Sequence, residues 1–207
     1  MTLPESLPAR LYLLACDTEK NRVTAQSQLG LVLRAAALAD LYLAGLVTDE
    51  NGKVRAVGDR RPTGDPLLDE LLQQIAEHQP QRRSWHGWIV RGQPAVRTVR
   101  TQLEAGCCIR VERRMLLPDR VELLDRSAVQ QYADELRGEL RRHASRIEAR
   151  SAAVLALAAR GEIATVISRS ERREHRQYLD ELAVHTGPIA DALRKAWRTK
   201  KAQQASG

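Results

Sequence analysis

The chain has 207 residues, of which 43% are hydrophobic and 29% are charged. This composition suits one globular domain with a substantial core and excludes a bundle of membrane-spanning helices. Aromatic residues make up only 3% and Phe is absent, so the core must be built from Leu, Val, Ala and Ile. The formal net charge of +7 favours acidic partners such as phosphate groups, nucleic acid or an anionic membrane surface. A GC-rich genome, which enriches Arg, is the alternative explanation of that charge.

The cysteines and the amino-terminal residues indicate a cytoplasmic protein. Cys16, Cys107 and Cys108 include no CxxC pair, and an odd count with one adjacent pair does not form a disulfide framework. The first residues, MTLPESLPAR, show no basic segment followed by an apolar one, so no secretory signal is predicted.

The strongest helical pattern runs from Gln26 to Ala44 and is apolar on nearly every face, which is typical of a helix inside a core. Before it, Leu11 to Ala15 fits either a strand or the first turn of a helix. Gly45 can end the long helix in the left-handed conformation. Arg34 and Asp40 lie near its middle, where a charge opposes membrane insertion by about 2.5 to 3.5 kcal/mol and each Leu or Val favours it by only about 0.3 to 0.6 kcal/mol. We therefore predict a buried helix and not a membrane span.

Two short motifs follow this helix. Asn51-Gly52 lies between two β-prone segments within Leu46 to Val57, and this pattern predicts a β-hairpin. Asp65 and Pro66 then precede an apolar helical stripe, which predicts a helix with Asp65 as N-cap and Pro66 at the first helical position.

The middle of the chain is predicted as a loop over Gln79 to Gln93, in which Trp85 and Trp88 act as packing anchors. A helix over Ala95 to Ala105 should end at Gly106. The segments CCIRVERRMLL and RVELL then predict two strands.

The remaining third of the sequence predicts helices. Ser127 with Gln130 three residues later has the spacing of a capping box. Three further helices are expected, at about Ser151 to Arg160, Ser170 to Ala183 and Pro188 to Gln203. No Pro-rich or Ser-rich linker divides the chain, so one domain over residues 1–207 is predicted, with an ordered core at roughly 8–200.

The segment DRRPTGDPLLDELLQQIAEHQP resembles a motif of the Golgi phosphoprotein 3 family, PTGD-x-LLDEAL. The flanking pieces occur in the family's order. LYLLACDTEKNR resembles the opening segment, VLRAAALADLYLAGLV resembles the long helix, and VRTVRTQLEAG with ERRMLL resembles a later region. The similarity covers roughly Leu11 to Leu124 well and the carboxyl-terminal helices loosely.

The resemblance implies a mainly α-helical, single-domain protein that is not an enzyme and needs no cofactor. It further implies peripheral binding to an anionic phospholipid head group, phosphatidylinositol 4-phosphate, at the inner, cytoplasmic face of a membrane. The cytosolic tails of membrane proteins are a second partner class that it implies. The residues that match the family's lipid pocket are Arg34, in the long helix, and Arg97 and Arg100, which match its R-x-x-R pair.

Two features depart from the family pattern. The pocket Trp of the family should lie near Ala25 to Ser27, where this sequence has no aromatic residue. The long amino-terminal tail of eukaryotic members is also missing, so we expect a bacterial member, whose ligand need not be phosphatidylinositol 4-phosphate itself.

Basic residues are densest from Arg82 to Arg120, where nine arginines face only three acidic residues. This stretch fits head-group binding, because each basic residue near an anionic leaflet contributes about 1 kcal/mol. A solvated surface is the alternative. For Arg34, the alternative to a binding role is a structural ion pair.

Two other function classes stay open. A nucleic-acid-binding protein of winged-helix type is compatible with the hairpins and the positive charge, although the PTGDPLLDE helix has no role in reading a groove. A protein–protein adaptor without a lipid role is the other. The five histidines show no metal-binding spacing, so no metal is predicted, and no catalytic motif is present.

Overall fold

The computed structural model describes residues 3–58, 61–78, 83–91, 94–115, 119–141 and 147–205. The chain is 61% helical, with ten α-helices and three two-stranded antiparallel hairpins in the described residues. This confirms the prediction of a compact, mainly α fold with short β-hairpins. None of the described helices has both the length and the apolarity needed to cross a membrane.

The fold is built around one central helix, α2 (Gln26–Leu43). It is buried along almost its whole length because its sequence is apolar on every face. Gly45 follows it with φ +70°, a left-handed conformation that glycine adopts without strain. Both the helix and its end were predicted from the sequence.

The other helices surround α2, and several of them contact it directly. In chain order they are α1 (Leu7–Leu14), α3 (Pro66–Glu77), α4 (Trp85–Val90), α5 (Ala95–Ala105), α6 (Arg126–Glu139), α7 (Ala149–Arg160), α8 (Arg169–Glu174), α9 (Arg176–Leu182) and α10 (Ile189–Ala205).

The three hairpins are separate two-stranded sheets at the edge of the helical core. Asn51 and Gly52, at the turn of the second hairpin, have φ of 54° and 77°, as the sequence predicted. In the third hairpin, Ile109 pairs with Leu123 and Glu112 pairs with Arg120. The strands are β1 (Cys16–Asp17) with β2 (Arg22–Val23), β3 (Val47–Glu50) with β4 (Lys53–Ala56), and β5 (Ile109–Glu112) with β6 (Arg120–Leu123).

The predicted loop over Gln79 to Gln93 is wrong in part, because Trp85–Val90 forms helix α4. The Ser84 side chain accepts a hydrogen bond from the Gly87 N–H at 3.2 Å and so caps the helix. The side chains of Trp85 and Trp88, which belong to this helix, are buried. This agrees with their prediction as packing anchors. Residues 79–82 and 92–93 lie outside the described part of the chain.

Two boundaries in the carboxyl-terminal half also differ from the prediction. Asp125, and not Ser127, is the N-cap of α6, and its Oδ1 accepts the Ala128 N–H at 3.0 Å. Asp125 is a better N-cap than Ser127 because its negative charge also interacts favourably with the helix dipole. The helix predicted over Ser170 to Ala183 is divided between α8 and α9 at His175.

Candidate functional site

Two adjoining cavities open beside the amino-terminal end of α2. The smaller measures about 290 Å³ and the larger about 790 Å³. Val23, Gln26 and Asp119 contribute to the walls of both. The smaller cavity has an apolar floor that includes Tyr12 and Leu29, and the larger one is a more polar extension of it.

Basic residues outnumber acidic ones among the charged side chains that line these cavities. Among the described residues that line them, Glu19 and Asp119 are the only ones with carboxylates. We call the two cavities together the basic cleft, after the five basic residues that line it: Lys20, Arg22, Arg100, Arg114 and Arg120. Clustered cations in a concave site raise the local concentration of anions and favour their binding.

The β1–β2 hairpin forms one wall of the cleft, and local hydrogen bonds hold its turn in shape. Asp17 Oδ1 accepts the backbone N–H groups of Glu19 and Lys20, each at 3.0 Å, and the Lys20 N–H is the main reason why the pKa of Asp17 is lowered. Asn21 adopts the left-handed conformation, with φ 48°. The Asn21 carbonyl oxygen accepts the Val121 N–H at 3.1 Å, which fixes this wall to strand β6.

The amino-terminal end of α2 forms another part of the cleft wall. Ala25, which precedes the helix, has φ 54° and its side chain provides no cap. Gln26 and Leu29, in the first turn of this 18-residue helix, line the cleft, so the positive end of the helix dipole lies beside it. Lys200 of α10 donates to the Ser27 carbonyl oxygen at 2.5 Å, which brings a further cation close to this helix end.

Arg100 lies on α5 and forms an ion pair inside the cleft. Its Nη1 lies 2.6 Å from Asp119 Oδ2, and the two side chains are 26% and 30% exposed. Tyr12 lines the same cavity as this pair and is buried. Its burial raises the pKa of its hydroxyl, and the charge of Arg100 opposes that rise.

Of the three residues predicted from the resemblance, only Arg100 lines the cleft. Arg97 is exposed on the same helix, three residues earlier, and residues at this spacing are neighbours on one helix face. The structure therefore places Arg97 and Arg100 side by side.

Arg34 does not line the cleft. It lies in the buried middle of α2, where it is only 5% exposed. Its Nε donates to the Trp88 carbonyl oxygen at 2.9 Å, so it joins α2 to α4. Burial lowers the pKa of its guanidinium, and the charge of Glu70 on α3 acts against that change. Whether Arg34 contributes to ligand binding stays a prediction.

Only part of the basic stretch from Arg82 to Arg120 lines the cleft in the described residues. Arg110 pairs with Glu122 at 3.6 Å and Arg113 with Glu104 at 3.3 Å, and neither arginine lines the cleft. Arg83 lies over the Trp88 ring, 5.2 Å from its centre, and Arg82 lies outside the described residues. Arg100, Arg114 and Arg120 are the members of the stretch that line the cleft.

The family model described as Golgi phosphoprotein 3 matches residues 7–199. The chain belongs to the Golgi phosphoprotein 3 family. A search of curated proteins found no match. The resemblance carried by the PTGDPLLDE segment is thereby confirmed over most of the chain.

The resemblance to the Golgi phosphoprotein 3 family did not reveal Lys20 and Arg22, which lie in the opening segment far from the R-x-x-R pair. One feature of the sequence could have indicated these two residues. They lie on either side of Asn21 in a short turn, close to the position where the family's pocket Trp is expected. Within the described residues, no three His, Cys, Asp or Glu side chains gather to hold a metal ion.

Proposed function

We propose that this protein is a non-enzymatic peripheral binding protein that recognises an anionic phosphorylated head group, of the phosphatidylinositol 4-phosphate type, in the basic cleft. The observation that carries this proposal is the group of five basic side chains around the first turn of α2. A helix amino terminus and arginine guanidinium groups are both suited to phosphate. Membership of the Golgi phosphoprotein 3 family adds independent support.

The three residues suggested by the family take different parts in this proposal. Arg100 binds the phosphate directly, because it lines the cleft. Arg97 reaches the ligand from the neighbouring position on α5. Arg34 supports the site from inside the core, where its hydrogen bond to Trp88 fixes α4 against α2.

We also propose that the chain is one domain and that it acts at the cytoplasmic, inner face of a membrane. A single cluster of buried residues extends from Leu7 to Ala196 and supports the first of these statements. Cytosolic tails of membrane proteins are a further class of partner that the family suggests. Duplex DNA is disfavoured because the cations surround a compact cavity and not an extended groove.

Liposome sedimentation tests the proposal. The protein should sediment with phosphatidylcholine liposomes that contain phosphatidylinositol 4-phosphate and not with phosphatidylcholine alone. Liposomes with phosphatidylserine at equal total charge separate head-group recognition from general attraction to a negative surface. Equal binding to neutral liposomes, or binding to none, rejects the proposal. Tight, sequence-dependent binding to duplex DNA at physiological salt would favour the nucleic-acid alternative.

A further inference from the structure

We propose that Asp119 is a built-in competitor of the ligand, whose carboxylate occupies Arg100 until a phosphate displaces it. This inference rests on the proposed function, because it concerns the regulation of the same cleft. In this proposal Asp119 limits the affinity of the cleft for its ligand, whereas the surrounding arginines increase that affinity.

The geometry shows a carboxylate placed where a ligand oxygen would lie. Asp119 Oδ2 is 2.6 Å from Arg100 Nη1, a distance typical of a charge-assisted hydrogen bond. Asp119 is also among the residues that line both cavities of the basic cleft. A phosphate oxygen that binds Arg100 from the cleft must therefore exchange places with this carboxylate or share the guanidinium with it.

The charges around Asp119 explain why it occupies this position without a ligand. Lys20, Arg22, Arg114 and Arg120 line the same cleft, so the carboxylate partly neutralises a cluster of like charges. Like charges that face one another raise the energy of an empty site. When a phosphate enters, it takes over this neutralising role, and the Asp119 carboxylate then becomes a repelling neighbour.

The exchange sets a threshold for the charge of the ligand. A singly charged anion replaces one negative charge with another of equal size and gains little from the exchange. A phosphate monoester carries about 1.5 to 2 negative charges near neutral pH. It therefore neutralises the basic side chains of the cleft more fully than the Asp119 carboxylate does. Asp119 therefore discriminates against weakly charged anions.

A second carboxylate in the same hairpin provides a matched control. Glu122 lies on β6, three residues after Asp119, and pairs with Arg110 at 3.6 Å and Arg126 at 3.7 Å. It does not line the cleft. Asp119→Asn and Glu122→Gln each remove one negative charge from the same hairpin. Only Asp119→Asn removes that charge from the basic cleft.

Calorimetric titration with inorganic phosphate and with soluble inositol 1,4-bisphosphate tests the inference on the whole chain. We expect Asp119→Asn to bind inositol 1,4-bisphosphate about tenfold more tightly than wild type, since a neutral amide holds Arg100 less strongly than a carboxylate does and does not repel the phosphate. Glu122→Gln should stay within about twofold of wild type, because its charge is screened from the cleft. Thermal unfolding of each variant checks that the fold is retained, and Asp119→Ala serves as a second variant.

The outcomes separate this inference from the proposed function. If wild type binds inositol 1,4-bisphosphate and Asp119→Asn and Asp119→Ala bind equally or more weakly, Asp119 is not a competitor, and the proposed function is unaffected. A gain of the same size in Glu122→Gln would also reject the inference, because general charge would then explain it. If neither wild type nor the variants bind, the proposed function fails and the inference fails with it.

Discussion

The Nε of Arg34 donates a hydrogen bond of 2.9 Å to the carbonyl oxygen of Trp88. This contact joins the central helix to α4 across 54 residues of sequence. Arg34 is buried, and a guanidinium in a core destabilises the fold unless its donors have partners. The residue that the family pattern assigns to a lipid pocket therefore has a structural task in this chain.

Arg34→Ala should destabilise the protein by roughly 2 to 4 kcal/mol, because it leaves a cavity and removes the donor to the Trp88 carbonyl oxygen. Arg34→Met should be less damaging, since it fills a similar volume without burying a charge. Chemical denaturation of both variants measures the two losses. An Arg34→Ala variant as stable as wild type would contradict this structural role.

Asp65 gives a second stability prediction. Its Oδ1 accepts the N–H groups of Leu67 and Leu68 at 2.9 and 3.1 Å, and its Oδ2 accepts Gln102 Nε2 at 2.9 Å. Asp65→Ala should cost about 2 kcal/mol through the lost cap and the amide left without its acceptor. Asp65→Asn keeps an acceptor oxygen for the cap, so it should unfold at a temperature between those of wild type and Asp65→Ala. Equal melting temperatures for all three proteins would show that the cap contributes nothing.

Most of the fold could be predicted from the sequence because its signals are local. The α5 helix begins and ends as predicted, at Ala95 and Ala105, and the hairpin at Asn51 follows from its turn residues. Helix α4 was missed because six residues are too few to show a helical period. Its stability comes from the burial of Trp85, Trp88 and Ile89, which is a tertiary effect.

The candidate site was less predictable than the fold. Arg100 could be named from the R-x-x-R pair, and the structure places it in the cleft. Arg22 could not be named, because only the contact between the β1–β2 turn and β6 brings it near Arg120. The burial of Arg34 was also left open, because an apolar helix does not show which of its neighbours accepts a hydrogen bond.

The buried carboxyl of Asp40 should make the stability of the fold depend on pH. Its burial raises the pKa of its carboxyl above the usual value of about 3.9, although the Leu7 N–H and Arg150, each at 2.7 Å, oppose this rise. A carboxyl with a higher pKa in the folded state stabilises the fold most below the unfolded pKa, and this contribution decreases as the pH rises through the folded pKa.

Comparison with Asp40→Asn, which cannot titrate, isolates this effect. The free energy of unfolding of wild type minus that of the variant should decrease as the pH rises above about 4, the usual pKa of an Asp carboxyl. Urea unfolding at several pH values measures the difference. A difference that increases with pH would mean that the Arg150 ion pair lowers the pKa of Asp40 below its usual value.

The central claim is tested most directly by two double variants with equal loss of charge. Arg22→Ala/Arg120→Ala removes two exposed arginines from the cleft, whereas Arg110→Ala/Arg113→Ala removes two from outside it, which are 72% and 70% exposed. Their affinities for soluble inositol 1,4-bisphosphate are measured by calorimetry at physiological ionic strength, where charges beyond about 8 Å are largely screened. The cleft variant should lose at least about tenfold in affinity, since each contact to a phosphate is worth about 1.5 to 3 kcal/mol. The control variant should stay within about threefold of wild type, because the charges that it removes are screened. Equal losses in the two variants, or no loss in the cleft variant, would contradict the assignment of the head-group site to the basic cleft.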